Sequence, residues 1–217
     1  MSPVSTKSKP VGNPLKRHNI SFMRQSLISD YDPKPGVSIS TLAYEYPPNF
    51  NVREHAHGSD QLIYATRGVM EVSAGQSFWL IPPQFAIWIP ARTSHEIRMA
   101  GAVSMRTLYL RRGVAARPPA VCTVLAVTPL LRELVLEAVR LGQLRIGKPL
   151  HCALRDLVVA QLQRASPVPT SVTLPRDARA LAVARSLIAN PAACPSLQAL
   201  CDDGVRTIER VFGREIG

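Results

Sequence analysis

The chain has 217 residues, of which 46% are hydrophobic, and a formal net charge of +11. That is enough apolar material to bury the core of one large domain or two small ones, which excludes a disordered polyelectrolyte. No apolar run approaches the roughly 18 residues of a membrane helix and the N-terminus lacks the apolar centre of a signal peptide, so a soluble cytoplasmic protein with no membrane partner is expected.

The positive excess is three charges in residues 1–50, four in 51–120, three in 121–170 and one in 171–217. Charge spread this evenly attracts polyanions in general and marks no single nucleic-acid face. Cys122, Cys152, Cys194 and Cys201 form no C-x-x-C pair. They fit buried or incidental thiols in a reducing compartment.

Residues 1–36 are rich in Lys, Ser and Pro without sustained periodicity and predict a flexible N-terminal arm. From Val37 the pattern changes to short apolar or alternating runs: VSISTLAYEY, QLIYATRG, VMEVSAGQ, FWLIPP, FAIWIP, HEIRMAG and VSMRTLYL. Such runs predict an antiparallel β-sandwich or barrel, with residues 73–76 turning VMEV back onto FWLI as a hairpin. After Leu110 the period becomes helical. Thr128-Pro129 predicts a capped helix with Leu130, Leu131, Leu134, Val135, Ala138 and Leu141 on one face, and Pro149 starts a second with Leu150, Leu154, Leu157, Val158 and Leu162.

The stretch SPVPTSVTLP, 166–175, reads as a linker. Beyond it a helix from about Asp177 to Ala189 is expected to bury Leu181, Ala184, Leu187 and Ile188 and to stop at Asn190-Pro191. Ser196 caps a short helix, LQALC, and a turn at Asp202–Val205 leads into RTIERVFGREIG with Ile208, Val211 and Phe212 inward. Two short helices around a Gly-containing turn predict a helix-turn-helix. Arg206, Arg210 and Arg214 recur every fourth residue opposite the apolar face, and with Thr207 they are the candidate DNA contacts.

His55, His57 and Gln61 share parity with Ile63 and Ala65, so an unbulged strand directs them all to one side, and His95 follows a turn from which a third imidazole can join them. Three neutral imidazoles with an open position suit Zn²⁺, Fe²⁺, Ni²⁺ or Cu²⁺. Gln61 is a neutral donor and leaves the metal's charge uncompensated. Three readings stay open: polar groups satisfied within the β-domain, a ligand or metal-assisted sensor pocket, and a metal-dependent oxygenase-like or hydrolytic enzyme.

His55-x-His57-x-x-x-Gln61 followed by Gly68 resembles the first cupin motif with Gln in the usual Glu place, and Pro90-x-x-x-x-His95 resembles the second, with Arg92 where cupins usually have Gly. QLIYATRGVMEV, IPPQFAIWIP, HEIRMAGAVSMRTLYL, TPLLRELVLEAVR, LPRDARA and RTIERVFGREIG, in that order, are similar to AraC-type transcriptional regulators with an N-terminal cupin-like sensor. The resemblance implies an α+β chain: a cupin-like double-stranded β-helix barrel over 37–120 that binds a small effector, helices over 121–165 that make a homodimer, and a helix-turn-helix over 176–217 that binds promoter DNA. Two departures stand out. The stretch from Ser196 to Arg206 is shorter than the family pattern, and the family continues past the position of Gly217 into a second helix-turn-helix.

Overall fold

A strand whose side chains alternate can bury one face and expose the other, whereas Asp60–Ala65 is buried at every position, so it must be covered on both sides. A computed structural model, which describes residues 31–168, 171–173, 175–189 and 205–215, shows what covers it. The strands are β1 (Val37–Tyr46), β2 (Asn51–His55), β3 (Asp60–Arg67), β4 (Met70–Ala74), β5 (Ser77–Ile81), β6 (Phe85–Ile89), β7 (His95–Met99), β8 (Val103–Leu110), β9 (Thr123–Ala126), β10 (Gln143–Arg145) and β11 (Ser171–Thr173). The helices are α1 (Pro129–Leu141), α2 (Pro149–Arg164), α3 (Ala178–Ala189) and α4 (Val205–Glu215).

The strands form two antiparallel sheets, one in the order β10-β1-β8-β3-β6-β9 and the other β11-β5-β4-β7-β2. Ile63, Ala65, Ile87, Ile89 and Met105 of the first sheet meet Met70, Val72, Trp79, Ile81, Ile97 and Met99 of the second in one apolar core. The opposite parity of the first sheet, with Leu62, Tyr64, Trp88 and Leu108, packs on Leu131, Leu134, Val135, Leu154 and Val158 of α1 and α2. Each of these side chains contributes about 1.5–3 kcal/mol when fully buried. β3 is therefore the shared wall of two cores.

The hairpin expected at 73–76 forms with Gly75 and Gln76 as its turn, since Ala74 pairs with Ser77. Thr128 caps α1 by accepting the Leu131 N–H at 3.1 Å, and Gly142 closes it by donating to Ala138 and Val139. α1 buries Leu131, Leu134, Val135 and Ala138, but Leu130, in its first turn, stays exposed. α2 buries only the i, i+4, i+8 stripe of Leu154, Val158 and Leu162. Leu157 lies off that stripe by roughly 60° and Leu150 sits in the first turn; both are exposed, contrary to the expectation that they pack inward.

The stretch 166–175, expected as a linker, is held against the sheets over part of its length. Ser166 accepts from the Ala126 N–H, Val168 donates to Val124 at 2.9 Å, and β11 pairs with β5. Strand pairing wins because β5 has a free edge and 171–173 offers backbone groups that need partners. Likewise β9 and β10 complete the first sheet, so the β-fold draws on residues past the expected boundary at 120. Residues 31–36 of the expected arm are also tied down, with Arg111 donating to Pro33, Lys34 and Val37 carbonyls.

α3 buries Ala180, Val183 and the expected Ala184, while Leu181 and Leu187 are only half-buried and the Ile188 side chain lies outside the described residues. Ile208 and Val211 are buried on α4 and Phe212 partly so. Glu215 ties the two helices by accepting the Arg176 and Asp177 N–H groups at 2.6 and 3.2 Å. The Asn190-Pro191 stop, the Ser196-capped helix and the turn at 202–204 lie outside the described residues.

Gly68, between β3 and β4, has φ +83°, and a Cβ there would stand 2.3 Å from the Ala102 carbonyl oxygen. Both the backbone conformation and the space demand glycine. Gly68→Ala is expected to destabilise the protein by about 2 kcal/mol or more, read as a lower midpoint in chemical denaturation.

Candidate metal and effector site

His55 ends β2 and His95 begins β7, and the two are directly paired across the antiparallel ladder. Their ring centroids are 4.3 Å apart. His57 does not lie on a strand. It sits in the connection between β2 and β3, where its carbonyl accepts the Arg92 N–H at 2.7 Å, and its ring centroid is 4.8 Å from His55 and 5.7 Å from His95. A register shift between Val52 and His55 also breaks simple alternation in β2. The shared-parity expectation thus holds for Gln61, Ile63 and Ala65 along β3 but not for the two histidines, which reach the same place through a bulge and a loop.

Arg92 occupies the turn before His95 with φ +67°, the left-handed conformation that the cupin pattern meets with Gly. The strain costs about 1–2 kcal/mol for a non-glycine residue and is opposed by the hydrogen bond to His57. The turn forms with Arg in place.

Nitrogen atoms of His55, His57 and His95 all lie within 4.8 Å of one another, and among the described residues no Asp or Glu joins the cluster. The Nδ1 atoms of His55 and His95 face the carbonyls of Arg53 and Thr93 at 2.7 and 3.0 Å. A carbonyl only accepts, so each Nδ1 carries the proton and each Nε2 keeps its lone pair. The buried Nε2 of His95 has no hydrogen-bond partner among the described residues. Two oriented lone pairs beside a third imidazole are what a divalent transition metal takes up, and backbone carbonyls on the distal nitrogens are the usual way of holding such ligands. The donor set fits the metal that the cupin resemblance implies.

Burial holds the His95 imidazole far below its ordinary value, at about 3, against the opposing Thr93 carbonyl, and lowers His55 for the same main reason. Both rings are therefore neutral at pH 7.

Gln61 and Tyr109 pair across β3 and β8 with inward side chains, and the Gln61 side chain hydrogen-bonds the Tyr109 phenol, whose pKa burial raises strongly. Tyr109 in turn meets His57 edge-on at 4.9 Å. Gln61 is buried, and its Oε1 has no partner among the described residues; the same holds for the Oγ1 of Thr107, one inward position deeper on β8. Each buried polar atom left without a partner costs about 1–3 kcal/mol. Such costs are commonly recovered by a ligand. Thr107 and Tyr109 escaped sequence reasoning because VSMRTLYL read only as an apolar strand; its parity relative to Gln61 was the available signal.

Arg206, Arg210 and Arg214 are exposed on α4, opposite the buried Ile208 and Val211, with Thr207 half-buried beside them. Arg214 also bonds Glu215 at 3.0 Å. These residues make a separate surface from the histidine cluster.

The family model of the AraC-like ligand-binding domain matches residues 39–171. The chain belongs to that AraC-like ligand-binding family. The HTH-type transcriptional regulator NimR of Escherichia coli (strain K12) is 33% identical over 82 residues, or 38% of this chain and 30% of NimR. The matched part of this AraC-like chain thus spans under a third of that relative's length. ToxT from Vibrio cholerae superposes with a TM-score of 0.44 at 6% identity over 81% of this chain and 75% of its own. A cupin superfamily protein from Desulfitobacterium hafniense gives 0.33 at 18% identity over 34% and 68%. The AraC-like assignment rests on the family model, not on these superpositions.

The histidine environment makes a pH prediction. His95 titrates near its ordinary value of about 6.5 when unfolded but at about 3 when folded, so between those values only the unfolded chain takes up the proton. Stability of the metal-free protein should fall as pH drops from about 6.5 toward 3, and His95→Gln should flatten that decline. Urea midpoints at pH 7, 6 and 5 check this; equal slopes in both proteins contradict it.

Proposed function

We propose that this chain is a cytoplasmic transcription regulator of the AraC type, in which the inter-sheet interior senses a small effector and the C-terminal helices contact promoter DNA. The observation that carries the sensor half is the group of buried, partnerless acceptors, His95 Nε2, Gln61 Oε1 and Thr107 Oγ1, within a domain matched to a ligand-binding family. His55, His57 and His95 would hold a divalent metal such as Zn, Ni or Fe, with Gln61 as an adjoining neutral group. Such a metal supplies a positive anchor for an effector's donor atom.

The residues around it set selectivity. Neutral imidazoles and amides bring no charge of their own to the interior, and the ring of Tyr109 flanks His57. Ser40, Tyr44 and Tyr46 share the inward parity of β1 opposite Tyr109, Met105 and Val103. A small molecule with an aromatic or apolar body and hydrogen-bond donors suits that lining.

The DNA half is supported by the exposed stripe of Arg206, Arg210 and Arg214, with Thr207 beside it, since Arg reads guanine or grips phosphate. Homodimer formation is supported by Leu130, Leu150 and Leu157, each at least half exposed on α1 and α2. Effector binding need only favour one arrangement of the helical part over another.

The test is a gel-shift of the full chain against the DNA upstream of its own coding sequence, with salt titrated. The expected shift weakens steeply with salt, and Arg210→Ala weakens it by about tenfold or more. No shift at low salt, together with metal-dependent turnover of small acids or phenols, would replace the regulator reading with that of a cupin enzyme.

A further inference from the structure

Asp32 lies just before β1, in a stretch whose sequence announces no site, yet its carboxylate is spent entirely on the connection that carries His57. Its Oδ2 accepts the Gly58 N–H at 2.9 Å, and its Oδ1 accepts the Ser59 N–H at 3.1 Å and the Ser59 hydroxyl. Gly58 has no Cβ to obstruct this approach; one placed there would come within 3.0 Å of Oδ2. Ser59 is buried, so its groups must find partners within the protein.

The next contacts lead to the histidines. The His57 carbonyl accepts from Arg92, and the Asp60 carboxylate accepts the Ala91 N–H at 2.9 Å, lacing the connection to the turn before His95. Tyr31, Asp32's neighbour, stacks on Tyr109 at 5.7 Å and 11°, and Tyr109 is the ring that meets His57. Backbone N–H groups bonded to a carboxylate make a stiff, charge-assisted grip.

We infer that Asp32 is a positioning residue for the three-histidine site: by holding the Gly58 and Ser59 amides it fixes where His57 presents its ring. The inference rests on reading His55, His57 and His95 as a metal site, and the experiment separates the two. Asp32 accepts from Gly58 and Ser59, so its hold on the site runs through the connection that carries His57.

Zinc ion alone is titrated into the full chain against a chromophoric chelator for the unaltered protein, Asp32→Asn, His57→Ala and the double variant. Asp32→Asn keeps the shape of the side chain, and its thermal midpoint reports that the variant folds. Zinc affinity should fall by about 10- to 100-fold in Asp32→Asn and should fall no further when the same change is added to His57→Ala. Unchanged affinity in Asp32→Asn, or an equal loss in the His57→Ala background, would overturn the positioning role while leaving the metal site intact. Failure of the unaltered protein to compete for zinc would remove the metal site and this inference together.

Discussion

The direct pairing of His55 with His95 across the β2–β7 ladder is the constraint on which the site depends. Two imidazoles held on adjacent strands start from a fixed separation, and only the third has to be delivered by a loop. That loop is secured from several sides: by Asp32, by the Arg92 N–H, and by the Asp60 carboxylate at Ala91. The pairing in turn requires the second sheet to be complete. Met70, Val72 and Ile97 at its centre are buried against the first sheet, so the hydrophobic core and the histidine geometry are one structural unit.

Neutrality is the electrostatic theme of the site. Burial disfavours the imidazolium forms of His55 and His95, carbonyls accept hydrogen bonds from their Nδ1–H groups, and Gln61 stands where a carboxylate would bring charge. A dipositive ion placed among such groups is bound through lone pairs alone and keeps its full charge for a further donor. The sheet that carries His55 and His95 also carries β11 at its other edge, and α3 follows β11 in the chain. The strand that precedes α3 thus belongs to the sheet that carries the site.

Much of the β-fold was legible because period-two patterning and turn residues agree along 37–110, as in the hairpin over Gly75 and Gln76. The same logic misjudged His57, since a bulge and a loop have no period. Thr128 and Pro129 announced α1 accurately, but the exposed Leu150 and Leu157 show that apolar identity does not say which of two neighbouring stripes a helix buries. The stretch 166–175 looked like a linker because its prolines exclude a helix; nothing local reveals that an open edge of β5 waits for 171–173. Asp32 was invisible for a similar reason, because its partners lie 26 and 27 residues away. Arg92 makes the converse point: a residue other than glycine takes up a left-handed backbone conformation, φ +67°, in a turn where its N–H is bonded to the His57 carbonyl.

The most direct measurement of the central claim is cobalt(II) titrated into the full chain, followed by its visible absorption and by X-ray absorption at the metal edge. The expected result is stoichiometric binding with imidazole scattering from three histidines, lost when either His57 or His95 is replaced by alanine. Cobalt bound without imidazole scattering, or a spectrum unchanged by those replacements, would contradict the assignment of the three histidines as one site.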